Sequence, residues 1–251
     1  WVRFAKNAVC ASPGISNASF CMLDNAIITF AKKGCNLIAI SRHNDECYQK
    51  FLNDLMVSNG IQVKSYFSDL LDSNSLKDTL KAVVKENCQI DVLINNAGVA
   101  FGAAFNMTKL NKLKEVFEVN FFAPVQIMQA ISRQMQKQKS GSIINIASVG
   151  GIETNPGYLS YGTSKAALIH ASAILSKEIG PYGVRVNCIA PGLFETQMGY
   201  YKDESELNKV ISRTSLQRMG KINEIVEMVL FLSSDQSTYI TGQTIRVDGG
   251  R

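Results

Sequence analysis

The sequence predicts an α/β fold, one doubly wound parallel sheet with helices on both faces, as a single domain over residues 1–251. Three observations point there. Short runs rich in Val, Ile and Leu alternate with longer stretches of helical period, the pattern of buried parallel strands joined by crossover helices. Residue types suited to binding fall just after those runs, where open α/β sheets gather their ligands. The 251 residues, 46% of them apolar, contain no repeat, low-complexity tract or linker, and α/β chains of this size commonly form one core.

In chain order, a first strand is expected within Val2–Cys10 and a helix over Asn17–Lys33. The apolar run Asn36–Ser41 reads as the second strand, and Asp45–Asn59 has helical period. Gln62–Ser68 and Asp91–Asn95 are the third and fourth strands, separated by a helix over Ser73–Asn87. Leu110–Gln138 reads as one long helix leading to a strand over Ser142–Ala147. A helix over Tyr158–Ile179 then precedes the strand Arg185–Ala190, and Asn223–Ser233 precedes the last strand, Thr244–Val247. Between Pro191 and Gly220 the pattern loosens, with Met198, Tyr200, Tyr201 and Leu207 amid charged residues, and no strand is expected. Segment 193–219 reads either as a lid over a site or as a surface excursion.

The net charge of +5 is scattered, without the Lys/Arg runs of a nucleic-acid or membrane-surface patch, so neither partner is expected. A small anionic ligand fits it better. The six cysteines are widely spaced, with no Cys-x-x-Cys pair and only His43 and His170 to assist, so no metal site is expected. Apolar surroundings of Cys35 and Cys188 suggest buried thiols in a reducing, cytoplasmic setting, although an even count leaves disulfides open. No run reaches the ~18 apolar residues of a membrane helix, and no signal-like segment opens the chain. It begins at Trp1 rather than Met, which leaves room for a native segment ahead of it.

Tyr161 and Lys165 stand four residues apart, the spacing that puts two side chains on one helix face. A phenol beside an ammonium can do acid/base work near neutrality if the charge stabilises the phenolate and lowers its pKa. The plainer alternative is a half-buried ring and a solvated lysine tip. Strand ends carry further candidates. Asn95-Asn96-Ala97-Gly98 combines turn-forming Asn with small residues that admit a close ligand. Ser148 places a hydroxyl before Gly150 and Gly151, and Ala190-Pro191-Gly192 makes a rigid turn where a flat cofactor could lie.

In order, Asp69, Asn95-Asn96-Ala97-Gly98, Asn120, Ser148, Tyr161 with Lys165, Pro191-Gly192 with Thr196, Thr241-Gly242-Gln243 and Val247-Asp248-Gly249-Gly250 together resemble the short-chain dehydrogenase/reductase family over nearly the whole chain. Ser148 lies thirteen residues before Tyr161, as in that family. The motif layout is similar to that of its 3-oxoacyl-acyl-carrier-protein reductases. The resemblance implies a Rossmann-type sheet and a dinucleotide-dependent oxidoreductase. By it, Tyr161 donates a proton to a carbonyl oxygen as hydride arrives at the carbon, and the phenolate takes the proton back in alcohol oxidation. Lys165 lowers the Tyr161 pKa and bonds the nicotinamide ribose, and Ser148 holds the substrate oxygen. Asn120 bends its helix and holds a water that passes protons through Lys165; the plainer alternative is a mid-helix Asn bonded to backbone. Thr196 and the Phe194 backbone hold the carboxamide, Asp69 and Leu70 meet the adenine, and Asn96, Ala97, Gly98, Pro191 and Gly192 line the cofactor.

Where NAD-binding members carry an acid, the second strand ends in Ser41 followed by Arg42, so nothing repels a 2′-phosphate and a guanidinium can pair with it. NADP(H) is favoured over NAD(H). The first turn departs from the family's glycine fingerprint. Ala11-Ser12-Pro13-Gly14-Ile15-Ser16 aligns with Ala-Ser-x-Gly-Ile-Gly, so Ser12, Gly14 and Ile15 would cradle the pyrophosphate while Cys10 and Ser16 crowd it and Pro13 removes a donor. Ser19–Asn25 then stands as an insertion. The expected function is reduction of a carbonyl, or oxidation of a secondary alcohol, with an acyl-carrier substrate or a small ketone or sugar. The alternative is a non-enzymatic binding or assembly protein that has lost its dinucleotide. The resemblance also implies a homodimer or homotetramer built on the long helices.

Overall fold

The computed structural model describes residues 6–12, 22–42, 44–196 and 204–251. Among them, seven parallel strands form one sheet in the order β3-β2-β1-β4-β5-β6-β7. These are β1 (Asn7–Ser12), β2 (Asn36–Ser41), β3 (Val63–Phe67), β4 (Val92–Asn95), β5 (Gly141–Ile146), β6 (Val184–Pro191) and β7 (Thr244–Val247). The expected doubly wound fold is present, and its strands agree with the sequence reading to within a few residues at their ends. The first strand differs most, running on to Ser12 in register with Ser41 instead of ending at Cys10.

Helices cover both faces, because each strand exposes apolar side chains in two directions. Helices α1 (Met22–Lys32), α2 (Glu46–Asn59) and α8 (Ile222–Ser233) pack one side through Ile27, Phe30, Val226 and Leu230. On the other side lie α3 (Ser73–Glu86), α4 (Leu110–Phe117), α5 (Ala123–Gln138) and α6 (Leu159–Ile179), with Leu80, Ile127, Ile131 and Leu168 buried in one core with Leu93 of β4 and Ile143 of β5. Each such side chain stabilises the fold by roughly 1.5–3 kcal/mol. Asp45 caps α2 by accepting from Tyr48 N at 2.8 Å, and Asp72 caps α3 by accepting from Asn74 N and Ser75 N at 3.0 Å each.

Two further regions differ from expectation. The helix expected over Leu110–Gln138 is divided by a π-helical turn at Glu118–Phe122, which contains Asn120. The loosely patterned region after Pro191 holds a two-turn helix, α7 (Glu204–Ile211), and Phe194 forms an isolated bridge with Gly220. That helix buries its apolar side only partly at Leu207, Val210 and Ile211, which weakens its periodic signal. The start of the first expected helix lies outside the described residues.

Candidate active site

Because β1 pairs with β2 on one side and β4 on the other, the connections leave in opposite directions and open a crevice at the carboxyl ends of β1 and β4. Ser12, Ser41, Asn96, Ala97, Gly98, Ser148 and Pro191 all lie at this edge, as the sequence reading expects.

The catalytic candidates meet where a 3-10 turn, Val149–Gly151, docks on α6. Ser148 precedes the turn in extended backbone, and its Oγ accepts from Gly150 N at 3.1 Å. Close approach requires glycine at two positions. A Cβ on Gly151 would fall 2.8 Å from the Lys165 carbonyl carbon and from Ala166 N, and one on Gly162 would fall 2.7 Å from Gly150 O. This contact brings Ser148 to Tyr161, whose ring packs edge-on against Tyr158 at 6.0 Å between centroids. Burial pushes the Tyr161 phenol above its ordinary value, and a hydrogen bond with Ser148 draws it partly back.

Lys165 is 3% exposed and donates from Nζ to the Ile146 carbonyl at 2.7 Å. Burial depresses it from 10.5 to about 8, opposed by the nearby Cys188. The sequence expectation of a lowered Tyr161 pKa is corrected in the protein by itself: the net shift is upward, because burial outweighs the neighbouring groups. Burial dominates both groups, and the ammonium is turned to the end of β5. The phenol stays protonated and the amine mostly charged at neutral pH, the pairing a proton donor needs.

Asn120 is fully buried in the π turn. Its Oδ1 accepts from Val99 N at 2.8 Å, and its Nδ2 donates to Val99 O at 2.9 Å and to Ser164 Oγ at 3.0 Å. Ser164 Oγ in turn donates to Tyr161 O at 2.8 Å. Asn120 therefore bonds backbone, but that of another segment, and both its donors are engaged. A Cβ on Gly98 would fall 3.1 Å from Lys165 Nζ and 3.4 Å from Asn120 Oδ1, so the turn after β4 presses directly on this cluster. Sequence reasoning missed Ser164 and the packing role of Gly162, whose signal is two small residues inside the Tyr161–Lys165 turn.

The remaining candidates border the crevice. Ser41 is buried at the end of β2 and Arg42 follows it exposed; Asp69 Oδ1 accepts from Leu71 N at 3.0 Å while Leu70 is buried. Gly192 is seated on Asp248, where a Cβ would fall 2.7 Å from that residue's Cβ. Phe194 packs its ring on Gly220, and Thr196 N donates to Phe194 O at 2.8 Å. Gly14, Ile15 and the side chain of Ser12 lie outside the described residues. Cys10 does not crowd a phosphate site. It sits inside β1 with its thiol in the core, raised by burial to about 12. Among the described residues no group of His, Cys, Asp and Glu could hold a metal ion, and no helix is long and apolar enough to cross a membrane.

A family model described as "Enoyl-(Acyl carrier protein) reductase" matches residues 26–251, beginning just past the altered first turn. The 3-oxoacyl-[acyl-carrier-protein] reductase FabG of Thermotoga maritima is 36% identical over 225 residues, covering 89% of this chain and 90% of that protein. An NAD+-bound xylitol dehydrogenase superposes with a TM-score of 0.87 at 26% identity, covering 99% of this chain and all of the other. The NADPH-dependent 3-quinuclidinone reductase of Rhodotorula rubra gives 0.86 at 26% identity, over 98% and 91%.

Proposed function

Because this chain belongs to the short-chain dehydrogenase/reductase family of oxidoreductases, we propose that it transfers a hydride between NADP(H) and a carbonyl or secondary alcohol, with Tyr161 as proton donor and acceptor. One observation carries the reading. Ser148, Tyr161 and Lys165 converge at the carboxyl edge of the sheet, next to a glycine turn where a Cβ on Gly98 would fall 3.1 Å from the ammonium nitrogen.

The described residues fit a dinucleotide. The strip of small backbone at Asn96, Ala97 and Gly98 against buried Lys165 suits a ribose, and Ser41 with Arg42 offers no carboxylate to repel a 2′-phosphate. Asp69 and Leu70 stand on the adenine side, and Pro191, Gly192, Phe194 and Thr196 on the nicotinamide side; Ser12, Gly14 and Ile15 would meet the pyrophosphate. The bound nicotinamide supplies the hydride. Ser148 Oγ holds the substrate oxygen, and its bond strengthens as negative charge develops there. Tyr161, kept protonated by burial, gives up its proton to that oxygen. Lys165 stabilises the phenolate left behind, an interaction strengthened by the dry surroundings of its ammonium.

The relative's name favours a 3-oxoacyl carrier-protein substrate; the two structural neighbours favour a polyol or a small cyclic ketone. A non-enzymatic role draws support from one feature, the family match that begins only after the first turn. Cys10, Cys35 and Cys188 are buried in the core, which favours a reducing cytoplasmic setting. A homodimer or homotetramer is the expected assembly. Titration with NADPH and NADH, read by cofactor fluorescence, tests the enzymatic reading, and no saturable binding of either would end it. With binding in hand, Tyr161→Phe is expected to keep NADPH affinity and lose about 10²-fold or more in turnover of a ketone panel. Retained turnover would remove Tyr161 from its role.

A further inference from the structure

Residues 246–251 join three parts of the molecule, one of them the stretch just after Ser148. The guanidinium of Arg246, on β7, is shared among several acceptors. Nη2 donates to Glu153 Oε1 at 2.5 Å and to the Arg251 carbonyl at 2.6 Å, and Nε donates to Asp248 Oδ2 at 2.6 Å. Arg251 Nε lies 3.1 Å from the second Glu153 oxygen. Glu153 thus receives a guanidinium on each oxygen. The backbone beyond Arg246 reaches two further segments. Gly192 rests on Asp248, and Gly249 and Gly250, at φ of 70° and 80°, turn their carbonyls toward the segment after α7. Gly249 O accepts from Leu216 N at 3.0 Å, and Gly250 O accepts from Ser215 Oγ at 2.9 Å.

Glu153 follows Ser148 by five residues, on the stretch that leads to Tyr158 and Tyr161. Ile152 N and Glu153 N donate to Val149 O at 2.9 and 2.8 Å, which ties this stretch directly to the turn that follows Ser148. Isolated surface ion pairs contribute little, but four charges meet here, none more than about one-third exposed, and Asp248 is 8% exposed. A planar guanidinium also fixes direction as well as distance. The clasp therefore acts on geometry more than on global stability.

We propose that Arg246 is a positioning residue for the substrate: acting through Glu153, it holds segment 152–157 against the Ser148–Tyr161 face and so sets which carbonyl compounds fit. This rests on the reductase reading for its kinetic consequence, though not for its structural one. The test uses the full chain with Glu153→Gln, which removes the charge and leaves Arg246 paired to Asp248, and Arg246→Lys, which can keep one of the pairings. For Glu153→Gln, KM for the carbonyl substrate is expected to rise about fivefold or more, with kcat and the NADPH dissociation constant within about twofold. Arg246→Lys is expected to fall between that variant and the unsubstituted protein. Hydrogen–deuterium exchange at 152–157 should quicken in Glu153→Gln while β5 is unchanged. An unaltered KM, or a drop in kcat that tracks a fall in Tm, would overturn the proposal. If the chain reduced no carbonyl compound, the reductase reading would fall while exchange still decided the clasp, and unaltered exchange at 152–157 would overturn it.

Discussion

Gly151→Ala adds one methyl group at the contact that sets the active-site geometry. The new Cβ would lie 2.8 Å from the Lys165 carbonyl carbon and from Ala166 N, both backbone atoms of α6 that cannot rotate away. Reaching an ordinary 3.4 Å separation moves the turn off the helix by about 0.6 Å. Gly151 is not among the glycines with positive φ, so the effect is steric and not conformational. Overpacking of this kind costs about 1–3 kcal/mol. Ser148 belongs to the moving turn while Tyr161 and Lys165 belong to the helix, so the substrate oxygen is held away from its proton donor. A misplacement of about 1 Å costs about 10²-fold in rate, so about tenfold is expected in kcat/KM. The assay is NADPH consumption with a ketone substrate, beside a thermal melt. Gly180→Ala serves as the control, since nothing lies within 4 Å of its added Cβ and its φ is −53°. A Gly151→Ala protein with the Tm and kcat/KM of the control would refute the account of how the turn positions Ser148.

Lys165 bears a burial penalty that is fully present below pH 8 and relieved as pH rises from about 8 toward 10.5, because the native state sheds its proton before the unfolded chain does. Lys165→Met should thus be more stable than the unsubstituted protein at pH 7, by at most about 3 kcal/mol; the gap should close between pH 8 and 10.5 in denaturant titrations, and a gap independent of pH would contradict the burial effect. Ser164→Ala removes an acceptor of Asn120 Nδ2 and a bond to the Tyr161 carbonyl. A buried donor left unpaired costs about 1–3 kcal/mol, which urea unfolding would register, and an unaltered midpoint would show the network to be dispensable. Arg42→Gln should weaken NADPH binding about tenfold and leave NADH unaffected, since only the former carries a 2′-phosphate to pair. Equal loss for both cofactors would place Arg42 elsewhere than at that phosphate.

Much of this is legible in the sequence alone. Strand runs such as Leu37-Ile38-Ala39-Ile40 are apolar throughout because both faces of the sheet are covered, and that continuity is a local property of the sequence. The four-residue spacing of Tyr161 and Lys165 needs only a helix to place both on one face. An alignment of turn motifs puts Cys10 at the phosphate turn because it cannot say where β1 ends. Its pairing with Ala39 and Ile94, which puts the thiol inside the core, arises from strands distant in sequence.

By itself the sequence determined the order and type of elements, the single sheet and the edge at which chemistry gathers, since periodicity and turn residues act over a few positions. Only the tertiary structure decided how Lys165 titrates, why Gly151 and Gly162 cannot carry side chains, and that Glu153 answers to Arg246. Those properties depend on burial and on contacts between segments up to 93 residues apart, which no local pattern encodes.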